Sequence, residues 1–220
     1  MVRAGHHLFR TGARTCDSHI SSTRSGAAIV RRSHRYLNSL SEAREEALWT
    51  TGPRRIAVTT FDESDLKNRG FLGFQRFREL DLLEVPREPG VYAVLRDGNE
   101  IPDVLDASGG GWFKGRNPTM DKDVLTAKLS HATETLYIGK ADKGKGNRGL
   151  RKRIAEFVRF GNGEPVGHWG GCCIWQLADP QDLRIAWLPV LDRLASEIET
   201  ELIEEFVRTY SSLPFANLRR

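Results

Sequence analysis

The chain shows no apolar periodicity over its first 38 residues and then passes through alternating helical and strand patterns. Ser39-Leu40-Ser41-Glu42 has capping-box spacing and predicts a short helix through Trp49 that stops at Gly52-Pro53. Residues 55–60 (RIAVTT) read as a strand, and Phe71, Phe74 and Phe77, three apart, predict an amphipathic turn of helix. Val85-Pro86 and Pro89-Gly90 punctuate the chain and set the start of the main domain near residue 86. Beyond it, residues 91–95 and 135–138 read as strands, the first closed by Asp97-Gly98. Apolar positions 150, 154, 157 and 158 predict a helix over 150–160. Residues 173–177 and 185–188 predict a hairpin around Asp179-Pro180, and a final helix is expected over about 191–210. Residues 99–133 form a long insertion. The expected organisation is a disordered basic tail (1–38), an accessory segment (39–85) and a mixed α+β domain (86–220).

Composition narrows the function classes. The 220 residues are 39% hydrophobic and 28% charged, with a mean hydropathy of −0.45, as in a soluble globular protein. No uncharged apolar run approaches the roughly 18 residues of a membrane span. Cys16, Cys172 and Cys173 are too few for a disulfide framework, and adjacent cysteines rarely bridge, which favours a reducing, cytoplasmic setting. His168 and Cys172 have helical spacing, but no second pair completes a zinc set. The net charge of +4 is unevenly spread. Residues 1–40 hold seven arginines and one acid, Asp17, and so carry +6, leaving −2 for the other 180. Such a tail suits a disordered extension, an organelle transit peptide or an arm that touches nucleic acid.

Charge is concentrated again further on. Seven cations and one acid, Asp142, lie between Lys140 and Arg153. Like charges at this density repel unless a polyanion shares them, so Lys143, Lys145 and Arg148 are candidates for backbone-phosphate contacts. Gly139 followed by Gly144-Lys145 approaches a nucleotide phosphate loop, but Gly146 stands where a magnesium-binding hydroxyl is needed. On the predicted helix Arg153 falls on the core-facing stripe, where a guanidinium needs a carboxylate or a phosphate, while Arg151 and Lys152 point to water. On the last helix Glu199 lies inside the apolar stripe, about 50° from its centre, and Glu205 lies at the opposite border. A carboxylate so placed pairs with a cation or holds a metal.

Gly90-Val91-Tyr92, Tyr137-Ile138-Gly139-Lys140-Ala141, residues 150–153 (LRKR), residues 195–206 (ASEIETELIEEF) and Asn217 occur in an order that resembles the GIY-YIG nuclease superfamily. The resemblance covers residues 86–220. It implies a small antiparallel sheet of three or four strands flanked by helices, and metal-dependent hydrolysis of phosphodiesters in DNA, with magnesium or manganese as cofactor. Residue by residue, it implies that Tyr92 and Tyr137 activate or position the attacking water and that Lys140 and Arg153 supply positive charge. It assigns Glu199 to the metal, with Glu205 as second candidate, and makes Asn217 a phosphate or scaffold contact. Lys114 and Arg116, in the Gly-rich insertion, and His168, in residues 166–171 (VGHWGG), lie outside the superfamily pattern and are expected as further nucleic-acid contacts. The competing expectation is a binding module that keeps the fold and the basic groove without cleavage.

Overall fold

Four stretches whose side chains alternate between the two faces pair into one antiparallel sheet. They are β1 (Leu72–Arg76), β2 (Gly90–Leu95), β3 (Thr135–Ala141) and β4 (Arg184–Pro189), in the order β1-β4-β2-β3. The computed structural model describes residues 59–98, 101–129, 133–144 and 148–218, all within a compact unit that begins at Ala57. The expected tail, the helix over 39–49 and most of the strand over 55–60 lie outside the described residues.

The central strand β2 is buried along its whole length because helices cover both faces. Tyr92 and Val94 join one core with Leu150, Ile154 and Phe157 of α3 (Gly149–Gly161). Val91, Ala93 and Leu95 join a second core with Leu202, Ile203 and Phe206 of α4 (Ala195–Tyr210). The architecture is therefore mixed α/β, with a four-stranded antiparallel sheet flanked by helices. Two short helices complete it, α1 (Glu63–Asn68) and α2 (Lys122–Leu129). The register of β2 and β3 slips at one point, where Val94 faces Tyr137 but Leu95 faces Thr135. Leu136 is left over, so Leu136 and Tyr137 both belong to the core under α3.

Several expectations are corrected. Phe71, Phe74 and Phe77 do not form a helical turn: Phe74 has φ +54° at a bulge in β1, where the ring of Trp187 fills the space beside Gly73. Because β1 pairs with β4, the boundary expected at residue 86 falls inside this unit. The insertion contains α2. Residues Cys172–Gln176 form a 3₁₀ turn, not a strand, so no hairpin surrounds Asp179-Pro180. All five of its residues are buried, and a short run apolar on every side has no period to read. The ring of Trp175 lies against Gly161, and the Gln176 amide bonds Met120 and Leu105, which ties the insertion to the core. The last helix begins at Ala195, four residues later than expected.

Candidate active site

The site is built on the open edge of the sheet. β3 is an edge strand, and the segment after α4 closes its free side. Asn217 Oδ1 accepts from the Ile138 N–H at 3.0 Å and its Nδ2 donates to the Ile138 carbonyl at 2.8 Å. Ala216 N–H donates to the Leu136 carbonyl at 2.8 Å. One side-chain amide thus stands in for a neighbouring strand residue and satisfies both backbone groups of Ile138.

Against this edge lies a cavity of about 770 Å³ lined by Arg116, Tyr137, Lys140, Arg153, Glu199 and Asn217, among others. Tyr137 and Lys140 come from β3, while Arg153 arrives from α3 on one face of the sheet and Glu199 from α4 on the other. Four of the five residues expected to carry chemistry are therefore brought together.

Tyr92 is not among the lining residues. Its side chain is wholly buried behind Tyr137, with ring centroids 5.9 Å apart. Gly139 explains how two tyrosines fit there: a Cβ at that position would lie 2.8 Å from Tyr92 Cζ and 2.8 Å from Tyr137 Cε1. Gly170 closes the other side, where a Cβ would lie 2.6 Å from Tyr137 Oη. Burial pushes the Tyr92 hydroxyl upward and the Tyr137 hydroxyl well upward, with Arg153 opposing in part, so both are neutral phenols at neutral pH.

His168 is also buried, not a surface contact. It stacks on Phe157 at 4.5 Å, and its Nε2 lies 3.2 Å from Tyr92 Oη. Burial and the nearby Arg153 hold its pKa well below the ordinary value, so the ring is neutral. Nδ1 has no hydrogen-bond partner. A buried bare acceptor costs less than a buried orphan N–H, which places the proton on Nε2. His168 Nε2–H then donates to Tyr92 Oη.

Glu199 is about four-fifths buried, with Lys140 Nζ 3.5 Å from its carboxylate. Burial raises its pKa; Lys140 and, more weakly, Arg153 pull it back. Glu205 faces elsewhere. Arg69 donates to both of its oxygens at 2.8 Å and Thr59 Oγ1 to one at 3.0 Å, and Arg69 holds its pKa below the ordinary value. The second candidate glutamate is thus committed to a structural pair.

Arg153 remains partly open. Its Nη1 donates to the Gly167 carbonyl at 3.4 Å, and Glu156 lies 3.9 Å away. Arg148 pairs with the same Glu156. Arg151, expected to face water, instead donates to the carbonyls of Val85 and Leu83 at 2.7 Å and pins α3 to the chain entering β2. Lys143, Lys114 and Arg116 are exposed, and Lys145 lies outside the described residues. Two smaller cavities share walls with the main one. One of about 430 Å³ shares Arg116 and Trp169, and one of about 300 Å³ shares Lys140 and Arg153. Their order draws the cations at 114, 116, 140, 148 and 153 along one continuous surface.

Among the described residues no group of three or more His, Cys, Asp or Glu side chains is arranged to hold a metal ion. Among the same residues Glu199 is the sole carboxylate lining the main cavity. One carboxylate facing an open cavity fits a hard divalent ion that keeps most of its water, as magnesium does; it does not fit a soft-metal site. Trp169 and Gly170 escaped notice as site residues. Their only trace in the sequence is the glycine-rich run around them, which matches no motif. Comparison with protein-family models, curated proteins and solved structures returns no match for this chain.

Proposed function

We propose that this protein is a metal-dependent endonuclease that hydrolyses phosphodiester bonds of DNA, with a site of the GIY-YIG type. The observation that carries the reading is the meeting of Tyr137, Lys140, Arg153 and Glu199 on one cavity at the sheet edge. Hydrolysis adds a water oxygen to phosphorus, breaks one P–O bond and sends a proton to the departing oxygen. Negative charge grows on the phosphoryl oxygens meanwhile, and a fixed cation is most effective where that charge develops. Arg153 is that cation. Lys140, 3.5 Å from Glu199, favours the ionised carboxylate that burial opposes. A divalent ion held by Glu199 would polarise the phosphate and lower the pKa of bound water. Tyr137, a neutral phenol lining the cavity, orients the water or a phosphoryl oxygen as a donor. Tyr92 and His168 pack behind it.

Nicking of supercoiled plasmid tests the reading. We expect cleavage with Mg²⁺ or Mn²⁺ that EDTA and Glu199→Ala each abolish. Binding that persists with no cleavage under any divalent ion would instead make this a non-cleaving nucleic-acid module.

A further inference from the structure

The cavity of about 430 Å³ beside the main one is lined by Phe113, Lys114, Arg116, Gly167 and Trp169. Its floor is a tight turn. Arg116 N–H donates to the Phe113 carbonyl at 3.1 Å, and the two central residues, Lys114 and Gly115, have φ +53° and +73°. Positive φ at both positions is the geometry of a two-residue hairpin turn, so the turn holds Lys114 and Arg116 outward at set positions. Lys114 Nζ sits 5.3 Å from the centre of the Phe113 ring. That ring approaches Gly167 so closely that a Cβ there would lie 3.2 Å from it.

We infer that this cavity is a stacking subsite for one unpaired base of the bound strand, on a nucleotide next to the phosphate in the main cavity. The inference rests on the nuclease reading for that phosphate. Two aromatic side chains, Phe113 and Trp169, line the cavity and can stack on a base, and Lys114, seated over the Phe113 ring, and Arg116 offer charge to its phosphate. Among the described residues no acid lines the cavity to repel a polyanion. Arg116 and Trp169 line both cavities, so a strand leaving one enters the other. Stacking on a ring face is tolerant of base identity, because every base has a π face.

A double-mutant cycle tests it, using the full chain, EDTA to stop turnover, and a forked DNA duplex whose arms offer unpaired bases. Single abasic sites are walked along the fork, and affinity is measured for the wild type, Trp169→Ala and Phe113→Leu. At one position the abasic site should weaken wild-type binding about tenfold. Each variant should weaken binding to the intact fork similarly, and loss of base and loss of ring should not add. Trp169→Phe should restore most of the affinity. Thermal melts separate a misfolded Trp169→Ala from a folded one, and Phe113→Leu keeps apolar volume if the first fails. Additive losses at every position, or no response to any abasic site, would overturn the subsite. An acidic peptide that competes for the wall while losses stay additive would assign it to a protein partner and overturn it as well. A non-additive cycle in a protein that never cleaves would sink the nuclease reading and leave the subsite standing.

Discussion

Two arginines, one just before α3 and one five residues on within it, divide the work of the basic surface. Arg148 is paired with Glu156, whereas Arg153 keeps only a loose contact with that acid and opens onto the main cavity. Arg153→Ala should lower single-turnover cleavage about 10²- to 10³-fold with little change in affinity, because its interaction strengthens as charge develops. Lys143, Lys145 and Arg148 replaced together should instead weaken binding to any sequence and flatten its salt dependence. Cleavage at the wild-type rate by Arg153→Ala would return that arginine to a structural role. Gly170→Ala makes a finer test. The added Cβ meets Tyr137 Oη at 2.6 Å and nothing else closer than 3.7 Å. Cleavage should fall at least tenfold while the melting temperature moves by only a few degrees. Helical period placed Arg153 and Glu199 on inward stripes, while Tyr137 and Lys140 were named only by the order of motifs that resembles the superfamily. The burial of Tyr92 and His168 was not legible in the sequence. It depends on Gly139 and Gly170 letting aromatic rings close over them, a tertiary contact with no local signature.

Along α4, two glutamates six residues apart serve opposite ends, and pH separates them. Arg69 depresses the pKa of Glu205, so this group stabilises the fold above the ordinary glutamate range and loses that contribution as pH falls through its lowered value. Glu205→Gln should cost about 1–2 kcal/mol at pH 7, discounted for partial exposure, and nothing in strong acid, with cleavage retained. For Glu199 the sign reverses. Its raised pKa means that ionisation in the fold is unfavourable once pH exceeds that value, whereas below the ordinary range both states are protonated. Glu199→Gln should therefore raise the unfolding midpoint at pH 7, lose that gain toward pH 4, and abolish cleavage. Urea titrations at several pH values, run beside the nicking assay, check both. The helical stripe of α4 showed that Glu199 lay inward but could not show which cation it met. The cation stands on β3, nearly sixty residues away, and only the packing of α4 on the sheet brings it near. The opposite failure occurred at Cys172–Gln176, where residues suited to a strand form a 3₁₀ turn. The Gln176 side chain there makes bonds that a sheet neighbour would otherwise make.

At the scale of the molecule, the main cavity draws on the insertion, β3, α3, the glycine-rich loop, α4 and the segment after it. Order along the chain announced most of these pieces, but not that residues 72–76 belong to the same sheet. A chain beginning at Ala57 should keep a cooperative melting transition and the cleavage chemistry of the full protein, because the sheet, both cores and the main cavity lie within the unit that begins there. Differential scanning calorimetry and the nicking assay measure the two halves of this expectation. A shallower salt slope for the shorter chain would show that the arginines of residues 1–40 touch phosphates.

The strand order has a consequence for how the chain reaches this state. β2 and β3 can pair early, but β1 has no partner until β4, more than a hundred residues later, arrives between β1 and β2. Such distant pairing is slow, and until it completes β2 exposes an apolar edge of unpaired N–H and carbonyl groups. A message truncated ahead of residue 184 would yield polypeptides with that edge permanently open. Their fate would be capture by chaperones or pairing with one another, and they would accumulate as aggregates, not as inactive monomers.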